Sequence, residues 1–111
     1  MSDTVGVAVA PQIASLVNRV ISDFPGIETG VHLHSKRVNW KEKIEAALHN
    51  GCRRFDGALK GIGGCPMAND ELIGNMDSEL MIPYFQQLGF LKNLNEENLS
   101  KSIELADALF S

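Results

Sequence analysis

Gly61-Ile62-Gly63-Gly64-Cys65-Pro66, with Gly74-Asn75 following it, is the stretch that most limits how this chain can fold. Neither a helix interior nor a central strand accommodates it, because each glycine costs backbone entropy and proline removes an amide donor. It is expected to be a loop that brings bare backbone and the Cys65 sulfur close to a ligand. Upstream, Gly30-Val31-His32-Leu33-His34 sets two imidazoles at i and i+2. In an extended segment that spacing sends both to one face. His32, His34, Cys65 and Asn75 are thus candidates for a shared site.

The flanking pattern says what carries the loop. A strand is expected to end near Gly6, and Ala10-Pro11 opens a helix with Ile13, Leu16, Val17, Val20 and Ile21 on its inner stripe. Phe24-Pro25-Gly26 ends it, and a second strand spans Gly30 to His34. Asn39 and Glu42 have the spacing of a reciprocal helix cap, Ile44, Ala47 and Leu48 form the inner face, and Gly51 closes that helix. Arg53 to Leu59 is the third strand expected. Strand, helix, strand, helix, strand at this spacing predicts βαβ units and a parallel sheet. Beyond the loop, Asp77 caps a helix reaching Leu88-Gly89, with Leu80, Met81, Tyr84, Phe85 and Leu88 inward. Pro83 conflicts with that helix and requires either a kink or a start near Ile82. Asn95 caps a last helix with Leu99, Ile103, Ala106 and Phe110 inward.

The 111 residues, 44% apolar with a formal charge of −4, fit one soluble globular unit spanning 1–111. Acidic residues outnumber basic ones, so the chain does not read as a nucleic-acid binder. Lys36, Arg37, Lys41 and Lys43 read as a solvated helix entrance. No run is apolar enough to span a bilayer, and no secretory leader is recognisable, so a reducing cytoplasm is expected. Cys52 and Cys65 are expected to stay unpaired.

Several residues admit two roles. Imidazole is a common transition-metal ligand, but two histidines alone do not define a site, and paired polar contacts at a strand end fit as well. Cys65 suits an acid, base or nucleophile, or a small buried apolar group; Cys52 suits the latter. Asn75 offers a carbonyl oxygen to a hard cation or closes a turn. Asp56 either orients a neighbour or pairs with Arg53 or Arg54, and Asp3 has the same two options. His49 suits the dipole at a helix C-terminus, while Trp40 and Met67 suit packing.

His32-Leu33-His34, Gly61 to Pro66, Gly74-Asn75 and Ser2-Asp3-Thr4-Val5-Gly6 together resemble the C-terminal part of hydroxymethylglutaryl-CoA lyases, and the resemblance covers nearly the whole chain. It implies an α/β fold: part of a TIM (β/α)8 barrel, the C-terminal βα units with parallel strands and a C-terminal helical extension. It also implies metal-dependent retro-Claisen cleavage of 3-hydroxy-3-methylglutaryl-CoA, an acyl-CoA substrate, to acetoacetate and acetyl-CoA, a step of leucine degradation. By the same resemblance His32, His34 and Asn75 bind a divalent cation, Mg²⁺ or Mn²⁺. Cys65 is the catalytic thiol, His32 also moves a proton, and Asp3 lies beside the substrate. Related aldolases and isopropylmalate or homocitrate synthases share the histidine pair, and a non-catalytic α/β docking module is the reading from another class.

The sequence departs from that family at three points. Ser35-Lys36-Arg37 stands where an aspartate follows the histidine pair, and the span from Cys65 to Asn75 is one residue longer. A whole barrel takes about 250 residues, so the family's first-strand arginine and metal-binding aspartate have no counterpart here. The missing barrel portion, or a homo-oligomer, is the partner expected, and the chain alone is expected to be inactive.

Overall fold

A computed structural model describes residues 1–3, 6–63 and 73–110. In chain order these form β1 (Ser2–Asp3), α1 (Ala10–Asp23), β2 (Gly30–Ser35), α2 (Trp40–His49), β3 (Arg54–Asp56), a short 3₁₀ turn (Leu59–Gly61), β4 (Gly74–Asn75), α3 (Ser78–Gln87) and α4 (Glu96–Phe110). The sheet runs β1-β2-β3, all parallel, which is the βαβ arrangement expected from the alternation. A fourth strand joins those expected: β4 lies antiparallel on β2, pairing Asn75 with His34 and Gly74 with Ser35. Two residues are too short to show periodicity. Gly74 is there because a side chain would collide with the Gly61 carbonyl, its added Cβ standing 2.5 Å from that oxygen.

One face of the sheet packs against α1 and α2. Val31 and Leu33 from β2, Ile13 and Val17 from α1, and Ile44 and Ala47 from α2 form the buried cluster, which Cys52, Met76 and Met81 extend. Burial lifts the Cys52 thiol above its usual ionisation range, so it stays a neutral packing group. Trp40 packs edge-on against Tyr84, the structural role expected of it.

Several local expectations are corrected. Leu16, Leu88 and Phe110 are exposed rather than inward, as these helices have no second layer on that side among the described residues. The third strand stops at Asp56, since Gly57 is hemmed in by Met81 and Met76 and Lys60 takes a left-handed turn at φ 60°. Asn39 precedes α2 but does not cap it; its side chain accepts from the Lys36 amide at 2.8 Å and closes the preceding turn. Helix α3 starts at Ser78 and runs through Pro83, so the later start is not adopted. The Asp77 carboxylate accepts from the Glu79 amide at 2.9 Å, and Met81, Tyr84 and Phe85 pack inward. Those contacts offset the ~3 kcal/mol that an interior proline costs. Asn95 caps α4 as expected, through the Asn98 amide.

Candidate functional site

The register decides which side chains meet. Ser2 and Asp56 lie beside His32 across the parallel ladders, and Asn75 lies opposite His34. Cross-strand partners share a face, so His32, His34, Asp56 and Asn75 all project from the side of the sheet away from α1 and α2. The imidazole centroids stand 5.2 Å apart, edge to face. His34 is buried, whereas the His32 side chain is 43% exposed.

Hydrogen bonds fix which atoms remain as acceptors. His34 Nδ1 stands 2.7 Å from the Asp3 main-chain oxygen. A carbonyl only accepts, so Nδ1 carries the proton and Nε2 keeps its lone pair. His32 Nδ1 lies 3.4 Å from the Asp56 carboxylate, a longer contact with the same sense. Asp56 therefore orients a neighbour, and Arg54 pairs with Glu28 at 3.9 Å. Asn75 Nδ2 donates to the Ile62 carbonyl at 2.8 Å, and its main-chain amide donates to Gly63. That leaves Oδ1 as the acceptor end of the amide.

Asp3 is not with this group. It is in register with Leu33, on the helix-facing side, and its carboxylate is buried at 2.9 Å from Lys43 Nζ. Lys43 corrects the reading of a solvated helix entrance: it is 1% exposed. Its spacing could have revealed it, because position 43 falls on the same helical stripe as Ile44, Ala47 and Leu48. His49 sits exposed in the last turn of α2. Cys65 and Met67 lie outside the described residues.

A polar cleft of about 390 Å³ opens beside Asn75, bordered by Ser35, Lys36, Arg37, Lys60 and Asp77. A cleft of about 470 Å³ is apolar and lies on the other side of the sheet, where Phe55 in register with Val31 meets Met81 and Phe85. Asn75 borders the polar one, whereas His32 lines a separate opening of about 210 Å³ with Arg54 and Asp56. Among the described residues no three His, Cys, Asp or Glu side chains gather as a metal site. The histidine nitrogens and the Asn75 amide oxygen are atom types that could hold a divalent cation together with a carboxylate. No helix among the described residues is long and apolar enough to cross a membrane.

Comparison with known proteins gives this arrangement its relatives. The chain is 39% identical over 89 residues to an (R)-citramalyl-CoA lyase of Chloroflexus aurantiacus, covering 80% of this chain and 28% of that protein. It is 29% identical over 99 residues to the hydroxymethylglutaryl-CoA lyase YngG of Bacillus subtilis, covering 89% and 33%. Among solved structures, an HMG-CoA lyase from Brucella melitensis superposes with a TM-score of 0.82 at 27% identity, covering 97% of this chain and 38% of that one. An HMG-CoA lyase from Acinetobacter baumannii, in complex with coenzyme A and 3-methylmalate, gives 0.83 at 30% identity, covering 97% and 35%. The chain thus spans about a third of the length of these relatives, and its fold is the corresponding part of a TIM barrel. With the HMGL-like family model matching residues 1–106, the chain belongs to the HMGL-like family of lyases.

Proposed function

We propose that this chain carries the metal-holding face of a divalent-metal-dependent lyase that cleaves 3-hydroxy-3-methylglutaryl-CoA into acetoacetate and acetyl-CoA. One observation supports this above the rest: His32, His34 and Asn75 share one face, and the hydrogen bonds to their other atoms leave Nε2, Nε2 and Oδ1 as acceptors. Those are ligand atoms for Mg²⁺ or Mn²⁺, with a carboxylate and the remaining strands contributed by the rest of a barrel. A divalent ion there would acidify the substrate's tertiary hydroxyl and fix it against its carboxylate.

The residues divide the proton work. The hydroxyl proton leaves, the C2–C3 bond breaks, and its electron pair passes to the thioester as an enolate. Protonation of that enolate at carbon yields acetyl-CoA, and the oxidised-carbon fragment leaves as acetoacetate. Following the resemblance, His32 takes the first proton at Nε2 when that atom is not held by the cation, and Asp56 beside its Nδ1 would steady the imidazolium that forms. The Cys65 thiol, following the resemblance, supplies the second. For Asp3 the geometry supports a positioning role, its carbonyl holding His34 and its carboxylate holding Lys43.

The higher identity to the (R)-citramalyl-CoA lyase favours a second substrate of the same class, citramalyl-CoA, one methylene shorter between carbinol and carboxylate. Incubating each thioester with Mn²⁺ and this chain, alone and mixed with the N-terminal barrel portion of a related lyase, tests both readings. The chain alone should be inactive and the mixture should release acetyl-CoA, with acetoacetate from one substrate or pyruvate from the other. Cleavage by the chain alone would contradict the assignment of the missing carboxylate to the rest of the barrel.

A further inference from the structure

Lys43 is a buried ammonium whose three N–H groups meet three acceptors from three parts of the chain. Nζ lies 2.9 Å from the Asp3 carboxylate, 2.8 Å from the His34 main-chain oxygen and 3.2 Å from that of Gly6. The Asp3 carbonyl in turn accepts from His34 Nδ1 at 2.7 Å, and the second Asp3 carboxylate oxygen accepts from the Ala8 amide at 3.3 Å. The contacts close on themselves: Lys43 to Asp3, Asp3 to the His34 ring, and His34 back to Lys43.

We infer that Lys43 is a positioning residue for His34, holding the ring in its Nδ1–H tautomer with Nε2 turned toward the ligand-bearing face. This rests on the reading of His34 as a metal ligand. An ion pair this deep adds little stability over apolar residues of similar volume, because desolvating both charges offsets their attraction. Its distinctive consequence is geometric. Lys43 clamps the end of β1 and the end of β2 from behind the sheet, so the carbonyl that orders the imidazole is itself held in place. Partners that orient a ligating histidine from behind typically control metal affinity about 10–100-fold.

The test uses ¹⁵N-histidine-labelled protein without metal, read by long-range ¹H–¹⁵N correlation, followed by titration with Mn²⁺ alone. Wild type should show His34 protonated on Nδ1. Lys43→Met leaves Asp3 charged and unpaired, so the double variant Asp3→Asn, Lys43→Met serves as the second arm. Circular dichroism should show the double variant folded, its His34 should populate both tautomers, and Mn²⁺ should bind about 10–100-fold more weakly. An Nε2–H tautomer in wild type would overturn the inference, as would a folded double variant with unchanged tautomer and affinity. Loss of folding in both variants would assign Lys43 to stability alone and overturn it too. Absence of Mn²⁺ binding in wild type would defeat the ligand reading, while the tautomer still decides the part played by Lys43.

Discussion

Replacing Gly74 by alanine should loosen β4 and with it Asn75. The added Cβ would stand 2.5 Å from the Gly61 carbonyl oxygen and 3.3 Å from that of Gly63, so the two segments must part by at least about half an ångström. Both obstacles are backbone, which has no rotamer to escape into. Overpacking of this kind costs about 1–3 kcal/mol. In a domain of this size each kcal/mol lowers the melting temperature by about 4–8 °C, so a mid-range cost of about 2 kcal/mol is about 8–16 °C. The same movement stretches the bonds from Asn75 to Gly63 and Ile62, which set the direction of its amide. Gly26→Ala is the matched control, since no atom lies within 4 Å of its added Cβ. Thermal unfolding followed by circular dichroism should separate the two variants by that margin. If Gly74→Ala melts within a degree or two of Gly26→Ala, β4 is not seated against the 3₁₀ turn and the placement of Asn75 fails with it.

Three further outcomes follow from the same structure. Ile44→Ala, at a position 1% exposed within the buried cluster, should cost about 2–5 kcal/mol, seen as a lowered urea midpoint. Burial raises the Cys52 thiol, and burial together with the Glu45 carboxylate raises Tyr84, so the folded state holds both protons more tightly than the unfolded chain. The urea midpoint should hold steady below their ordinary alkaline ranges and fall as pH rises from about 8 to about 10.5; a rise over that span would refute it. In the completed lyase, Cys65→Ser should lower turnover by at least ~10²-fold with little change in substrate affinity, whereas equal turnover would remove Cys65 from the chemistry.

Much of the fold was legible because each element carries its own period and punctuation. Gly51, at φ 99°, ends α2 as its sequence position implied, and the histidine spacing alone put both rings on one face. What stayed hidden depends on partners far apart in the chain. Asn39 looked like a helix cap until its side chain turned back to Lys36. The stripe of α2 could show that Lys43 is buried, but nothing near it in sequence announces its charge partner Asp3, 40 residues away. Asp3 itself shows the limit of reading faces from motifs: a strand of two residues has no periodicity, and only its register with Leu33 reveals the side on which its carboxylate lies. The exposure of Leu16 and Phe110 has a similar origin, since an apolar stripe specifies that a face seeks cover but not that this chain supplies it.

The central claim is that His32, His34 and Asn75 form one cation-binding face, and the chain contains its own control in His49, exposed on α2. Paramagnetic broadening of the histidine ring signals during Mn²⁺ titration is the most direct measurement. His32 and His34 should broaden together while His49 stays sharp, and His34→Ala should abolish the effect on His32. Equal broadening of all three rings, or earlier broadening of His49, would contradict the account.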